Sequence, residues 1–390
     1  EQWRTTTSYT GDTTTVVPPA GGTPTTTTTD VQGRTTALTQ HLGVNADPGV
    51  PQSVTSYTYN PAGLLASTTD PKGNTWTYSY DVQGNRLTTN DPDKGTTTNT
   101  YDLLGHQLTS TDARGRGVAT TYDKLYRVVA TTDLTGNPLT TTSWDTLKAG
   151  LVTQTSRNVA GAQLVEKVNS YDTAGRPTSA SMVVPTVAGV IPSQLAGTYT
   201  TTTSYNPDGS TNTVGLPATG PVPAENLAYT YTATNLPNAT TGTPSGGTAY
   251  PYANATVYTP LGEIQWLKLG VAPYNSQLKY DYDLSTRRLS TVSHYLNSTL
   301  AEQTGYTYTN SGLVTSQTTQ PQTGAADTQC YSYDYQQQLT QAWTPASNDC
   351  AAAPSQTGLG GPAPYWSSWT TDTIGKTSQR VDRTPTTSTT

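Results

Sequence analysis

From Tyr57 to Asp145 the chain is a series of short runs in which polar and half-apolar residues alternate, most of them closed by an aspartate and a glycine. Asn85-Arg86-Leu87-Thr88-Thr89-Asn90-Asp91 is one such run. Period-two alternation bounded by Asp, Asn and Gly predicts a β-strand, and each boundary predicts a tight turn. The turns keep a beat. Asp70, Asp81, Asp91, Asp102, Asp112, Asp123, Asp133 and Asp145 follow one another at steps of ten to twelve residues. Gly63, Gly73, Gly84, Gly95, Gly105, Gly115 and Gly136 mark the glycine positions. Tyr59, Tyr80, Tyr101 and Tyr122 stand 21 apart, with Trp144 a further 22 on. An aromatic residue therefore precedes every second aspartate, and each unit predicts strand, turn, strand, turn. Self-similarity at a fixed period means a repeat array rather than conventional packed layers.

The turn residues have separate tasks. An Asp at the first position accepts hydrogen bonds from backbone N–H groups two residues on. The Gly takes the positive φ that a short hairpin loop with a bulge requires. In Tyr231-Thr-Ala-Thr-Asn235 the Gly is replaced by Asn, the next-best residue there. Arg86, Arg176 and Arg287-Arg288 follow the turn and are placed to cover a neighbouring ring or pair with a turn Asp.

Beyond residue 149 the units lengthen. Tyr171-Asp172-Thr-Ala-Gly175-Arg176, Tyr205-Asn206-Pro-Asp-Gly209, Tyr258-Thr-Pro-Leu-Gly262 and Tyr308-Thr-Asn-Ser-Gly312 keep the pattern. Tyr282-Asp283 and Tyr333-Asp334 lose the glycine, and Gly375 closes the last clear turn. Residues 183–197, 217–226 and 241–253 are rich in Pro and Gly and read as loop insertions. Residues 1–29 read as a Thr-rich loop between strands, in which Gly21 should tolerate a larger side chain. Asp30-Val31-Gln32-Gly33-Arg34 then starts the beat. The expected organisation is a Thr/Pro-rich start with a degenerate repeat (1–54), regular repeats (55–149), irregular repeats with insertions (150–380) and a loose Thr/Pro tail (381–390).

Composition agrees with β structure and a thin core. Only 32 % of the 390 residues are hydrophobic, Phe is absent, Met182 is the single Met, and there are 26 Tyr. Tyr joins an apolar ring to a polar tip and suits half-buried walls. Charged residues make up only 12 %, which argues against disorder driven by charge. Net charge is −6, and the twenty basic residues form no block, against nucleic acid as the main partner. No apolar run approaches the length of a membrane helix. The chain begins Glu1-Gln2-Trp3-Arg4, without Met or a signal peptide, and reads as part of a longer or processed product.

Chemistry is sparse. His41, His106 and His294 are far apart in sequence and read as exposed or edge-strand residues rather than ligands or bases. No phosphate loop, dinucleotide fingerprint or nucleophile elbow occurs. One carboxylate per turn does not supply the oxygen-rich loop that calcium needs. Turn geometry also accounts for the aspartates without paired-carboxylate hydrolysis. No cofactor, metal or catalytic residue is expected. Cys330 and Cys350 either close a twenty-residue loop as an extracellular disulfide or remain two buried thiols, and the first fits the rest of the chain better. Asn238-Ala-Thr240, Asn254-Ala-Thr256 and Asn297-Ser-Thr299 spell glycosylation triplets, which a Thr-rich chain produces by chance.

Tyr-Asp-x-x-Gly-Arg-Leu with a second Asp-x-x-Gly about ten residues later, recurring about a dozen times, resembles the YD repeat of the Rhs family. That repeat is shared with the C component of insecticidal Tc toxins, wall-associated proteins and teneurins. The likeness covers about residues 55–380. The segment from Cys330 through Trp343 and Cys350 to Tyr365-Trp366 resembles Rhs-type proteins of actinobacteria. The resemblance implies an all-β array of antiparallel hairpins, a spiralling sheet that forms part of a shell around another polypeptide. Relatives that cut their cargo free use aspartates in a closing segment carrying Asp-Pro-x-Gly. Here Asp70-Pro71-Lys72-Gly73 spells that tetrapeptide inside an ordinary repeat turn, so the activity is not carried over. The expected function is a non-enzymatic wall segment of a secreted or cell-surface bacterial protein. Its partners would be flanking parts of the parent chain, an enclosed C-terminal toxin, or further copies through sheet edges. The rival reading is an extracellular fibre or adhesive surface that binds glycans or cells.

Overall fold

The computed structural model describes residues 4–47, 49 and 51–390; Glu1–Trp3, where the chain begins, lie outside the described residues. It is all β, with 31 strands assigned to one sheet and two short 3-10 turns among the described residues. Each recorded pairing is antiparallel and joins strands consecutive in sequence. The contacts divide the chain into two compact units. Unit 1 comprises residues 1–78 and 276–390, and unit 2 residues 79–275.

In unit 2 the repeat is at its most regular. Strands Arg86–Asp91, Gly95–Tyr101, Gln107–Thr111 and Gly117–Tyr122 are joined by the Asp91, Asp102 and Asp112 turns. Successive turns therefore fall on opposite rims. One rim carries the aromatic-Asp turns (the tyrosine rim), and the other carries Asp91, Asp112 and Asp133 (the opposite rim). Along Gly95–Tyr101 the residues alternate strictly. Thr97, Asn99 and Tyr101 are half-buried on one face, while Thr96, Thr98 and Thr100 are exposed on the other. Glu225–Tyr231 repeats this, with Leu227, Tyr229 and Tyr231 on the covered face.

Unit 1 is built the same way and holds the one cluster of fully buried hydrophobic residues among the described residues. Cys330, Trp343 and Leu359 form it, with Cys350 and Trp366 packed against them. Elsewhere burial falls on small polar residues such as Ser53, Ser156, Ser181 and Ser293. The chain exposes 22493 Å², where a compact protein of its mass would expose about 15,000 Å². The fold thus leaves far more surface open than a compact protein of this mass does.

Several segments differ from the sequence expectation. Residues 1–29 contain three strands, Thr6–Thr10, Thr13–Val17 and Thr25–Thr29, rather than one long loop. Threonine is β-branched and fits a pleated strand, but a run of one residue type shows no alternation to read. The inserted loops are also shorter than expected, because strands Pro177–Val184, Glu225–Tyr231, Pro237–Pro244 and Tyr250–Tyr258 extend into them. In the tail, Ser388–Thr389 turns back to pair with Asp382 and Arg383.

Candidate functional site

The sequence offers the rim turns as its candidate site, and their geometry shows where each side chain is spent. At Asp81 the carboxylate Oδ1 accepts from the N–H of Gln83 (2.9 Å) and of Asn85 (2.8 Å), and Oδ2 accepts from the Asn85 amide (2.8 Å). The Asp81 N–H donates to the Asn85 carbonyl, and Gly84 adopts φ 90°. A side chain at that φ would be strained, which is why glycine stands there. Gly63, Gly105, Gly175, Gly209, Gly262, Gly312 and Gly375 share this conformation. Where glycine is missing, Tyr126, Asn235, Arg287 and Gln337 take positive φ in its place.

The same cradle recurs at Asp102, Asp123 and Asp172, with Oδ2 held by His106, Arg127 and Arg176. Asp283 and Asp334 accept the corresponding backbone N–H groups. Donors gathered on the charged form favour ionisation of Asp81, Asp123 and Asp172. The Asn85 amide holds Asp81 below the usual carboxylate range. The Arg127 N–H does the same for Asp123, and the Arg176 N–H for Asp172. On the opposite rim, the Asn137 amide and the Thr135 hydroxyl bring Asp133 to about 2. Arg127 grips Asp145 through two bonds (3.0 and 2.6 Å) and brings it to about 2. These carboxylates are turn fasteners already filled by protein donors.

The aromatic residues stitch hairpins together. Tyr101 donates its hydroxyl to the Arg86 carbonyl (3.0 Å), Tyr122 to Gln107 (2.8 Å), and the Trp144 indole to Val128 (3.0 Å). Tyr59, Tyr171, Tyr205, Tyr258, Tyr308 and Tyr333 reach the carbonyls of Thr35, Val152, Pro177, Pro237, Leu289 and Val314. Arginines after the turns cover rings: Arg86 over Tyr80, Arg287 over Tyr282, and Arg176 over Tyr205 at 4.4 Å. Arg176 therefore fastens its own Asp172 and the next hairpin's ring at once.

One recurrent element was missed in the sequence. The Ser or Thr just before the tyrosine pairs hydroxyl to hydroxyl with the next strand: Thr58 with Ser67, Ser79 with Thr88, Thr100 with Thr109, Ser204 with Thr213, and Thr307 with Ser316, at 2.6–2.7 Å. Such cross-strand pairs contribute about 0.2–1 kcal/mol each. The readable signal is Ser/Thr-Tyr followed by Ser/Thr nine residues after the first hydroxyl.

In unit 1 the two rims meet. The Ser311 N–H donates to the Ala20 carbonyl, Thr23 to the Tyr335 carbonyl, and Ser53 to the Thr373 carbonyl. Gln336 reaches Gln40, and Lys72 pairs with Asp372. These partners lie about 300 residues apart in sequence (296 to 320 across the side-chain bonds). Opposite-rim loops of the early strands thus rest on tyrosine-rim turns of the late ones. Gly21 belongs to this seam. Its φ is 88°, and a Cβ there would meet Ser311 Oγ and Thr309 Cβ at 2.9 Å, so the expected tolerance at this position is corrected.

The histidines also depart from expectation. His41 is buried at 5 % exposure and bonds Thr26, rather than sitting on an exposed edge. His106 pairs with Asp102 and stacks on Tyr126 at 4.4 Å. His294 bonds Ser276 and lies 3.8 Å from Glu302. The three are not brought together, and no group of metal-ligating side chains occurs among the described residues. A cavity of about 540 Å³ in unit 2, lined by Val152, Val168, Met182 and Tyr199, holds Glu166 and Lys167 as its charged groups. No helix among the described residues is long and apolar enough to cross a membrane. Cys330 and Cys350 form a disulfide, Cα to Cα 5.4 Å.

Comparison with known proteins adds two findings. The family model for the RHS repeat matches residues 53–96. Among solved structures, TcdB2-TccC3 superposes with a TM-score of 0.81 over 98 % of this chain at 19 % identity. TcdB2-TccC3-Cdc42 does so with a TM-score of 0.80 over 99 % at 18 % identity. The form lacking the hypervariable C-terminal region gives 0.79 over 98 % at 18 % identity. This chain spans about a fifth of the length of those chains, 20–21 %. No curated protein matches. The repeated Tyr-Asp turn cradle thus coincides with an RHS repeat at residues 53–96, and along nearly its whole length the chain shares the fold of TcdB2-TccC3.

Proposed function

We propose that this chain is a non-catalytic wall segment of a secreted or cell-surface bacterial protein, and that the wall encloses or presents another polypeptide. The supporting observation is how its side chains are used. The turn carboxylates are consumed by backbone and neighbouring donors, and the tyrosines by carbonyls of the adjacent hairpin. What is left is a sheet with one aromatic, half-buried face and one hydroxyl-bearing face, suited to being a boundary. The disulfide fits an oxidising compartment. The fold shared with TcdB2-TccC3 supports the same reading. Partners on this view are flanking parts of the parent chain and a cargo polypeptide.

Electron microscopy of the natural full-length product tests the proposal. A closed particle with internal density is the expected result. An open sheet or a filament would overturn it and make the array itself the working surface, with glycan or cell binding as the next measurement.

A further inference from the structure

Within unit 2 one trough is built from side chains that the turns and the hairpin stitches leave unused. Thr142, Thr155, Glu166, Met182 and Tyr199 stand directly opposite one another on five successive strands and form one row across the sheet. Val168, Ala180 and Thr201 flank the row on one side. Thr140, Arg157 and Leu164 flank it on the other. Lys167 alternates to the opposite face. The row shares its face with Leu227 and Tyr229, because Thr203 pairs with Val214 and Val214 with Leu227. The cavity of about 540 Å³ lies at the Met182 end, and a second of about 420 Å³ lies at the Arg157 end. The two share Thr155 and Glu166 and so run together.

The length of the trough selects its occupant. Four inter-strand steps span about 19 Å, which is about six residues of extended chain. A small ligand would fill one end only. The chemistry is graded along that length. Val168, Ala180, Met182 and Tyr199 make one end apolar. Met182, the single methionine, is 41 % exposed there. A flexible thioether left open to solvent can repack around varied apolar side chains. Glu166 lies midway and Arg157 toward the far end, and both are exposed. Neither carries a hydrogen bond or ion pair among the described residues. The turn carboxylates are filled by protein donors, so this open acid and open base stand apart from them.

We propose that the trough holds an extended segment of the enclosed polypeptide, with a large apolar side chain against Met182, a Lys or Arg against Glu166 and an Asp or Glu against Arg157. Complementary charge then fixes the direction and register of the segment, and the apolar end anchors it. This inference rests on the wall reading above and gives its cargo a chemistry.

Photo-cross-linking of the natural full-length product tests it, with p-benzoylphenylalanine placed at Thr201 beside the apolar end. Peptide mapping should find cross-links to a segment outside residues 1–390 that carries apolar and basic residues within about six positions of each other. The same probe at Thr198, whose side chain alternates to the opposite face, should capture no such segment. Glu166→Arg and Met182→Asp should each lower the yield from Thr201 about fivefold or more at unchanged melting temperature. If Met182→Asp lowers the melting temperature, Met182→Gln supplies the same reading. Cross-links confined to residues 1–390, equal yields from Thr201 and Thr198, or a yield unmoved by Glu166→Arg would each overturn the proposal. Internal density by electron microscopy without a cross-link from Thr201 would overturn it and leave the wall in place, whereas an empty particle or an open sheet would overturn both.

Discussion

Removing the disulfide by the double substitution Cys330→Ala/Cys350→Ala should destabilise unit 1 by about 3 kcal/mol and leave unit 2 in place. The two residues are 20 apart in sequence. Closing a loop of that length removes about 11 cal/mol/K from the unfolded chain, or about 3 kcal/mol at 25 °C. Losing the sulfur from the fully buried Cys330 site, against Trp343 and Leu359, adds up to about 1 kcal/mol. In a unit of 150–250 residues each kcal/mol moves the melting point by about 2–4 °C, so the shift should be about 6–16 °C. The place of the loss is as informative as its size. In an array whose elements couple mainly to their neighbours, damage stays local. Hydrogen exchange should therefore accelerate in Asp327–Tyr333 and Leu339–Trp343 and stay unchanged in Gly95–Tyr101 of unit 2. Unchanged protection around Trp343, or an equal loss in Gly95–Tyr101, would refute the reasoning.

Three further outcomes follow from the turns and the seam. Tyr101→Ala should cost about 2 kcal/mol, from loss of a half-buried ring and its bond to the Arg86 carbonyl. Thr97→Ala should cost clearly less, and equal urea midpoints for the two would show that the ring does not hold the hairpins. Gly84→Val and Gly21→Val should each cost at least about 2 kcal/mol, because both positions have positive φ and Gly21 has the Ser311 contact besides; wild-type melting of either would contradict the turn or seam geometry. Acid should weaken the fold. Asp133 and Asp145 titrate at about 2 in the folded chain, below their unfolded value. Their stabilisation is therefore complete above about pH 4 and is lost as pH falls from there toward 2. A urea midpoint that stays flat between pH 5 and 2 would count against the carboxylate cradle.

The local grammar was legible in the sequence because it is local. An Asp that bonds residues two and four positions on, and a Gly at positive φ, leave their mark within five residues, as Asp81 to Asn85 shows. The strands from Tyr57 to Trp144 follow from the spacing of those marks. What escaped reading depends on geometry that the spacing does not carry. The Thr25–Thr29 strand has no alternation to detect. Tyr126 takes the glycine conformation despite its bulk, stacked on His106, and no propensity points there. Gly21 reads as a loop glycine until Ser311 is brought against it from the far end of the chain. His41 reads as an edge residue for the same reason, since its strand end is buried only once the fold is complete.

The seam of unit 1 also orders the folding of the chain in time. Each recorded strand pairing joins sequence neighbours and spans 27 residues or fewer, so the sheet forms at modest cost in loop entropy. A large β-sheet, ordinarily a slow topology, is in this case accessible hairpin by hairpin as the chain emerges. The bonds from Ser53 to Thr373 and from Lys72 to Asp372 are of another kind. Neither can form until some 300 residues of sheet between them are in place. The seam contacts are therefore expected to form last, and an array that slipped by one hairpin would present a different turn to Lys72.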